Sequence, residues 1–162
     1  MIEQTLVLLK PDAVKRSIMG RIISRFEDAG FKIISAKMVK IDEGFGRRHY
    51  FDIAERRGEK VLNVLLKFMT QGPVMALCLE GVNAVENVRK MVGGTEPKTA
   101  LPGTIRGDFA HVSFAYADSK DKAIENLIHA SGNVQEAKIE IGLWFKPEEL
   151  YFYKTAQEEH VF

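Results

Sequence analysis

The chain has 162 residues, 46% of them hydrophobic, which suits a single domain over residues 1–162 with a real core. A net charge of +1 gives no overall pull toward nucleic acid or acidic membranes, so anion binding must come from locally placed lysine and arginine. One cysteine, Cys78, excludes an internal disulfide framework; with no apolar run approaching the roughly 20 residues of a membrane span and no signal pattern, the expectation is a cytoplasmic protein.

Thr5–Leu9 is nearly continuous in apolar residues and reads as a central buried strand. Pro11 prevents its continuation. Lys10 at the strand end either projects into a pocket or snorkels to water. Ile22, Phe26 and Ala29 define a helix face, and Gly30 stops that helix. Phe31–Ile41 is a second strand. Gly44 and Gly46 open a helical segment with Tyr50 and Ile53 turned inward, and Arg56-Arg57-Gly58 breaks it. Val61, Leu65 and Phe68 carry the next helix, so a helical hairpin forms one wall of a cleft.

Gly72-Pro73 turns the chain into a third strand, Val74–Glu80, which buries Cys78 as an inert thiol. Asn83 and Glu86 have the spacing of a capping box for the following helix. Arg89 near its C-terminus is favoured there by the helix dipole. Thr95–Gly107 is a long loop whose Thr95, Arg106 and backbone donors suit an oxyanion. Phe109–Tyr116 reads as the fourth strand, and Ala117–Lys122 as a polar link. His129 then sits on a short connection before an amphipathic helix with Val134, Ala137 and Ile141 inside. Asn126, Ser131 and Glu140 are placed to orient its ring. Glu140 reaches it if the helix folds back. A histidine nucleophile needs one nitrogen held and one free; the stretch alone favours a hydrogen-bonded structural histidine. The element order gives an α+β fold of the ferredoxin-like split βαβ type: a four-stranded antiparallel sheet with helices on one face, plus the helical hairpin and an extended C-terminal tail. The tail aromatics Phe145, Tyr151, Phe152, Tyr153 and Phe162 pack on the body or on another subunit.

Read together, the segments TLVLLKPDAV, RRHY, QGPV, VRKMVG, TEPKTALPGTIRGDF, NLIHAS and EIGLWF resemble the nucleoside diphosphate kinase family over nearly the whole chain. Each motif alone is weak; their joint order and spacing are specific. The resemblance implies ping-pong transfer of a γ-phosphoryl group from a nucleoside triphosphate to a nucleoside diphosphate through a phosphohistidine at His129. It makes Glu140 and Ser131 the residues that hold the ring. It puts Lys10, Tyr50, Arg89, Thr95 and Arg106 around the phosphates and Asn126 on the sugar and terminal phosphates. Val61 and Leu65 then contact the base. Mg2+ comes in on the nucleotide phosphates, with no metal ligands from the chain, and a homo-oligomer, tetramer or hexamer built from dimers, is implied.

The chain departs from the family pattern at three places. Gly132 follows Ser131 where aspartate is common, leaving Asn133 to cap the helix. Val61 stands where the family stacks a phenylalanine on the base, so another aromatic must substitute or base binding is looser. Residues 110–122 are extended, and Glu125 replaces a frequent arginine. Two other classes compete: a nucleotide-binding regulator, against which the nucleophile argues, and a nucleic-acid-binding sheet, against which the near-zero charge and aliphatic strands argue.

Overall fold

The computed structural model describes all residues, 1–162. Four strands, β1 (Ile2–Leu9), β2 (Lys32–Val39), β3 (Val74–Val82) and β4 (Ile128–Ala130), form one sheet in the order β2-β3-β1-β4, and every neighbouring pair is antiparallel. Between them run α1 (Pro11–Lys15), α2 (Met19–Asp28), α3 (Glu43–His49), α4 (Ile53–Arg57), α5 (Glu59–Met69), α6 (Ala84–Val92), α7 (Ile105–Phe109) and α8 (Phe114–Ser119). After β4 come α9 (Val134–Trp144) and a terminal turn, α10 (Glu158–Val161).

The fourth strand is not Phe109–Tyr116. That stretch is split between the end of α7, an irregular link and α8. Ser113 caps α8 by accepting the Tyr116 N–H at 3.2 Å, a local bond that competes with any strand ladder. The edge position is taken by the histidine segment: His129 pairs with Leu8, so the ring stands on the sheet rather than on a connection.

The expectation of helices on one face also fails. Leu6 and Leu8 pack with Leu62, Leu66, Ile141 and Trp144 on one side; Val7 and Leu9 pack with Ile22, Phe26, Val88 and Val92 on the other. Both faces are covered because β1 is apolar at successive positions, and alternate side chains of a strand point to opposite faces.

The Asn83 capping box does not form. Asn83 has φ +48 and no capping bond, and Glu3 accepts the Val85 N–H instead. Asn133 does cap α9, accepting the Glu136 N–H at 2.9 Å. The Glu136 carboxylate returns to accept the Gly132 backbone N–H and the Asn133 side-chain amide. A Cβ at Gly132 would lie 2.4 Å from Glu136 Oε2, so glycine is what lets that carboxylate reach the backbone.

Cys78 is buried, and burial pushes its thiol up to about 12. Of the tail aromatics only Phe145 is buried; Tyr151 and Phe152 stay exposed. The tail runs along the β2 edge, with the Tyr151 N–H bonded to Ile34 O and the Tyr153 hydroxyl to Ile33 O. No helix is long and apolar enough to cross a membrane.

Candidate active site

His129 Nε2 lies 2.8 Å from Glu140 Oε1 on α9. The other carboxylate oxygen accepts the Ser131 hydroxyl at 2.5 Å, and Ser131 in turn accepts the Leu6 N–H at 3.2 Å. A carboxylate accepts, so the imidazole proton sits on Nε2 and the Nδ1 lone pair is left free. Nδ1 has no hydrogen-bond partner within the chain. The fold-back of α9 onto β1 and β4 is therefore what holds an edge-strand histidine with one nitrogen engaged and one free, the arrangement a nucleophile requires.

The ring borders a cavity of about 160 Å³ with Tyr50, Asp52, Arg56 and Glu140. Arg56 and Ile53 also line a larger cavity of about 430 Å³, whose walls include Lys10, Val61, Leu65, Thr95, Phe114 and Asn126. The two spaces meet at Arg56. Sequence reasoning missed this arginine, reading it only as part of a helix break. Its signal was spacing: it lies three residues beyond Ile53 and so on the same helix face.

At the back of the larger cavity, Lys10 Nζ donates to Asn126 Oδ1 at 2.7 Å, and Asn126 Nδ2 donates to Thr95 O at 2.8 Å. An ammonium has three donors, so Lys10 keeps two for a ligand. Burial first, and then the charge of Arg106, lower its pKa to about 8. Leu127, between Asn126 and His129, has φ +71. That conformation is costly for a branched side chain. It is held by Asp12, which accepts the Leu127 N–H at 2.9 Å, and by the Lys10 N–H bonded to Leu127 O at 2.8 Å. The strained turn fixes Asn126 and His129 relative to Lys10.

Arg106 is buried, and three of its N–H groups are used on Asn126 O, Gly93 O and Ile128 O. Two of its five donors remain. Burial lowers its pKa to about 10, and Arg89 adds to the effect. Arg89 itself is exposed, makes no ion pair, and its charge acts on Arg106. Neither arginine lines the two cavities. Tyr50 OH is buried without a partner, and burial, reinforced by Glu140, holds its pKa above the usual range.

The extension over residues 110–122 forms the wall facing α5. It supplies Phe114, across the larger cavity from Val61, Val64 and Leu65. An exposed ion pair, Lys60 to Asp121 at 3.0 Å, bridges the two walls at the rim. Phe114 went unnoticed in the sequence because it fell inside an assumed strand.

A split βαβ sheet that holds a histidine with one free nitrogen beside a cationic, partly apolar cleft defines a phosphate-handling α+β protein. The model of the family described as "Nucleoside diphosphate kinase" matches residues 3–150, and the chain belongs to that family. It is 46% identical to the nucleoside diphosphate kinase of Borreliella burgdorferi, with 100% of this chain and 99% of that protein aligned. It is 47% identical to that of Pyrococcus furiosus over 97% and 91%. Among solved structures it resembles a transition-state mimic of the Borrelia burgdorferi enzyme with bound vanadate and ADP, with TM-score 0.96, 46% identity and coverage of 99% and 96%. It also resembles a Halobacterium salinarum enzyme in complex with CDP, with TM-score 0.86, 35% identity and coverage of 100% and 99%.

Proposed function

We propose that this chain transfers the γ-phosphoryl group of a nucleoside triphosphate to a nucleoside diphosphate by way of His129, with residues 1–162 acting as one catalytic unit. The observation that carries this reading is the 2.8 Å contact of His129 Nε2 with Glu140, which leaves Nδ1 free beside a cavity that meets a second, larger one at Arg56.

In the first half-reaction the Nδ1 lone pair forms a bond to the γ-phosphorus. The bond to the bridging oxygen breaks, and its electron pair leaves with the diphosphate. The second half-reaction reverses these changes, with a terminal oxygen of another diphosphate as acceptor. The proton stays on Nε2, donated to Glu140, throughout, so the ring gains and loses phosphoryl without exchanging it. Charge in the loose transition state spreads over equatorial oxygens. Fixed donors then stabilise it without reorganising: Lys10, Arg56 and the Tyr50 hydroxyl closest to the transfer, and the spare N–H groups of Arg106 and the free Arg89 guanidinium in the surrounding field. Asn126 and Thr95 set the nucleotide's depth. The base lies between Phe114 and the Val61–Leu65 face, so Phe114 takes over the stacking that Val61 cannot supply.

The cavities suit an anion that brings its own counter-ion. Lys10, Arg56, Arg57, Lys60 and Lys122 line the larger one, against two carboxylates, Asp118 and Asp121, the latter paired with Lys60. His49, His129 and Glu140 lie close enough to hold a metal, but their facing atoms are engaged with one another or with Trp144. Mg2+ is therefore assigned to the phosphates, where it supplies charge neutralisation. Cytoplasmic location and a homo-oligomer built from dimers, tetramer or hexamer, complete the proposal.

The test is incubation with γ-labelled triphosphate followed by a chase with several diphosphates. Acid-labile label on the native protein, passed on to each diphosphate, is the expected result. In His129→Ala, label incorporation should fall at least about 10⁴-fold; phosphoenzyme in that variant refutes the assignment.

A further inference from the structure

His49 closes α3 with its side chain wholly buried, yet no step above uses it. Its ring meets His129 edge-on, with centroids 4.7 Å apart and planes at 83°. Tyr50 and Trp144 pack on it at 4.5 and 5.5 Å. The Trp144 indole N–H donates to His49 Nδ1 at 3.2 Å. An indole nitrogen only donates, so Nδ1 must present its lone pair and the single proton of the neutral ring sits on Nε2.

Glu140 Oε1 lies between two imidazoles, 2.8 Å from His129 Nε2 and 3.9 Å from His49 Nδ1. Its other oxygen is taken by Ser131. A proton added at His49 Nδ1 would make that nitrogen a second donor competing for Oε1. The ring of His129 would then lose sole claim on the atom that fixes its tautomer.

We infer that His49 is a positioning residue for His129, kept uncharged by the Trp144 indole so that Glu140 serves His129 alone. A second proton on His49 would have to face the indole N–H donor to donor, leaving the indole buried without an acceptor, at substantial cost. Around His49 stand Lys10 at the end of β1, His129 on β4, Glu136 and Glu140 on α9, Arg56 on α4, and Asp52 and Tyr50 in the link after α3. Glu140 is the carboxylate in reach that favours the proton. Burial opposes it most, then the charges of His129 and Lys10, and together these hold the His49 pKa well below 6.5. The edge-on contact also blocks rotation of the His129 ring, a packing effect independent of charge.

This inference rests on the proposed phosphohistidine chemistry, so its test has one arm that does not use transfer. In ¹⁵N-histidine NMR of the native protein between about pH 5 and 8, His49 should stay neutral with its proton on Nε2. Titration of His49 like an ordinary histidine, or a proton on Nδ1, overturns the inference whether or not the protein transfers phosphate. The second arm is the pH dependence of single-turnover phosphoenzyme formation in native protein, Trp144→Phe and Trp144→Phe/His49→Gln. Phenylalanine removes the indole donor, so the acid limb should move up: the native-to-variant rate ratio at about pH 6 should exceed that at pH 8 about fivefold. Glutamine cannot take the proton, so the double variant should return the limb to its native position. A purely structural role would lower the melting temperature and leave the limb where it was, and that outcome overturns the inference. Should Trp144→Phe fail to fold, the NMR arm decides alone.

Discussion

The two cavities that meet at Arg56 are built in different ways. The smaller, at His129, rests on sheet and helix: β4 supplies the ring, α9 supplies Glu140, and Ser131 is tied to the β1 backbone. Most of its groups are locked to one another; Tyr50 OH and His49 Nε2 are buried and unpaired, and His129 Nδ1 is free. The larger cavity stands between α5 and the 110–122 extension, and exposed Lys60 and Asp121 span its rim. Val61 on its wall is half exposed. Rigid elements hold atoms to the tolerance that bond-making requires, whereas a base needs only a slot of the right width.

The comparison breaks if the rigid end tolerates change. Glu140→Ala releases Nε2, so single-turnover phosphoenzyme formation should fall about 10²-fold; a smaller change than that of any base-side variant would mean the ring is held by packing alone.

Lys10→Ala should lower kcat/KM about 10- to 100-fold through loss of charge-assisted hydrogen bonds to phosphate, with residual activity from the other donors. The same lysine sharpens the comparison through pH. Its pKa in the fold is about 8 against a usual 10.5, so the unfolded chain holds the proton more tightly. The cost of burying its charge is present below about 8 and is relieved as pH rises toward 10.5, so its contribution to stability improves over that window. Phosphate recognition runs the other way. A steady-state profile should show kcat/KM falling above about pH 8, and that fall should be absent in Lys10→Ala.

At the base end effects should be smaller and confined to binding. Phe114→Ala should raise KM for diphosphates about 5- to 10-fold by loss of aromatic stacking, and the hydrolysis rate of the isolated phosphoenzyme should not move. Lys60→Ala, which opens only an exposed ion pair, should change KM less than about twofold.

His129, Glu140, Ser131, Lys10 and Asn126 could be named from the chain because their chemistry is tied to short motifs, and the structure joins His129, Glu140 and Ser131 in one hydrogen-bonded set and Lys10 with Asn126 in another. Arg106 was also named, yet most of its donors hold the backbone. Phe114 and Arg56 were missed for opposite reasons. Phe114 lies in a stretch whose apolar residues match a strand as well as a short capped helix. Arg56 had a local reason to be charged, at a helix break, that hid its place at the junction of two cavities.

By itself the sequence determined the antiparallel split βαβ frame, since periodic burial and turn residues act over a few positions at a time. It also determined the β1 core and the Asn133 cap. Tertiary structure decided which segment became the fourth strand, which nitrogen of His129 stays free, and which aromatic faces Val61. Those outcomes depend on contacts between residues far apart in the chain, such as Leu8 with His129 and His49 with Trp144, and no local pattern encodes a partner that folding alone brings into range.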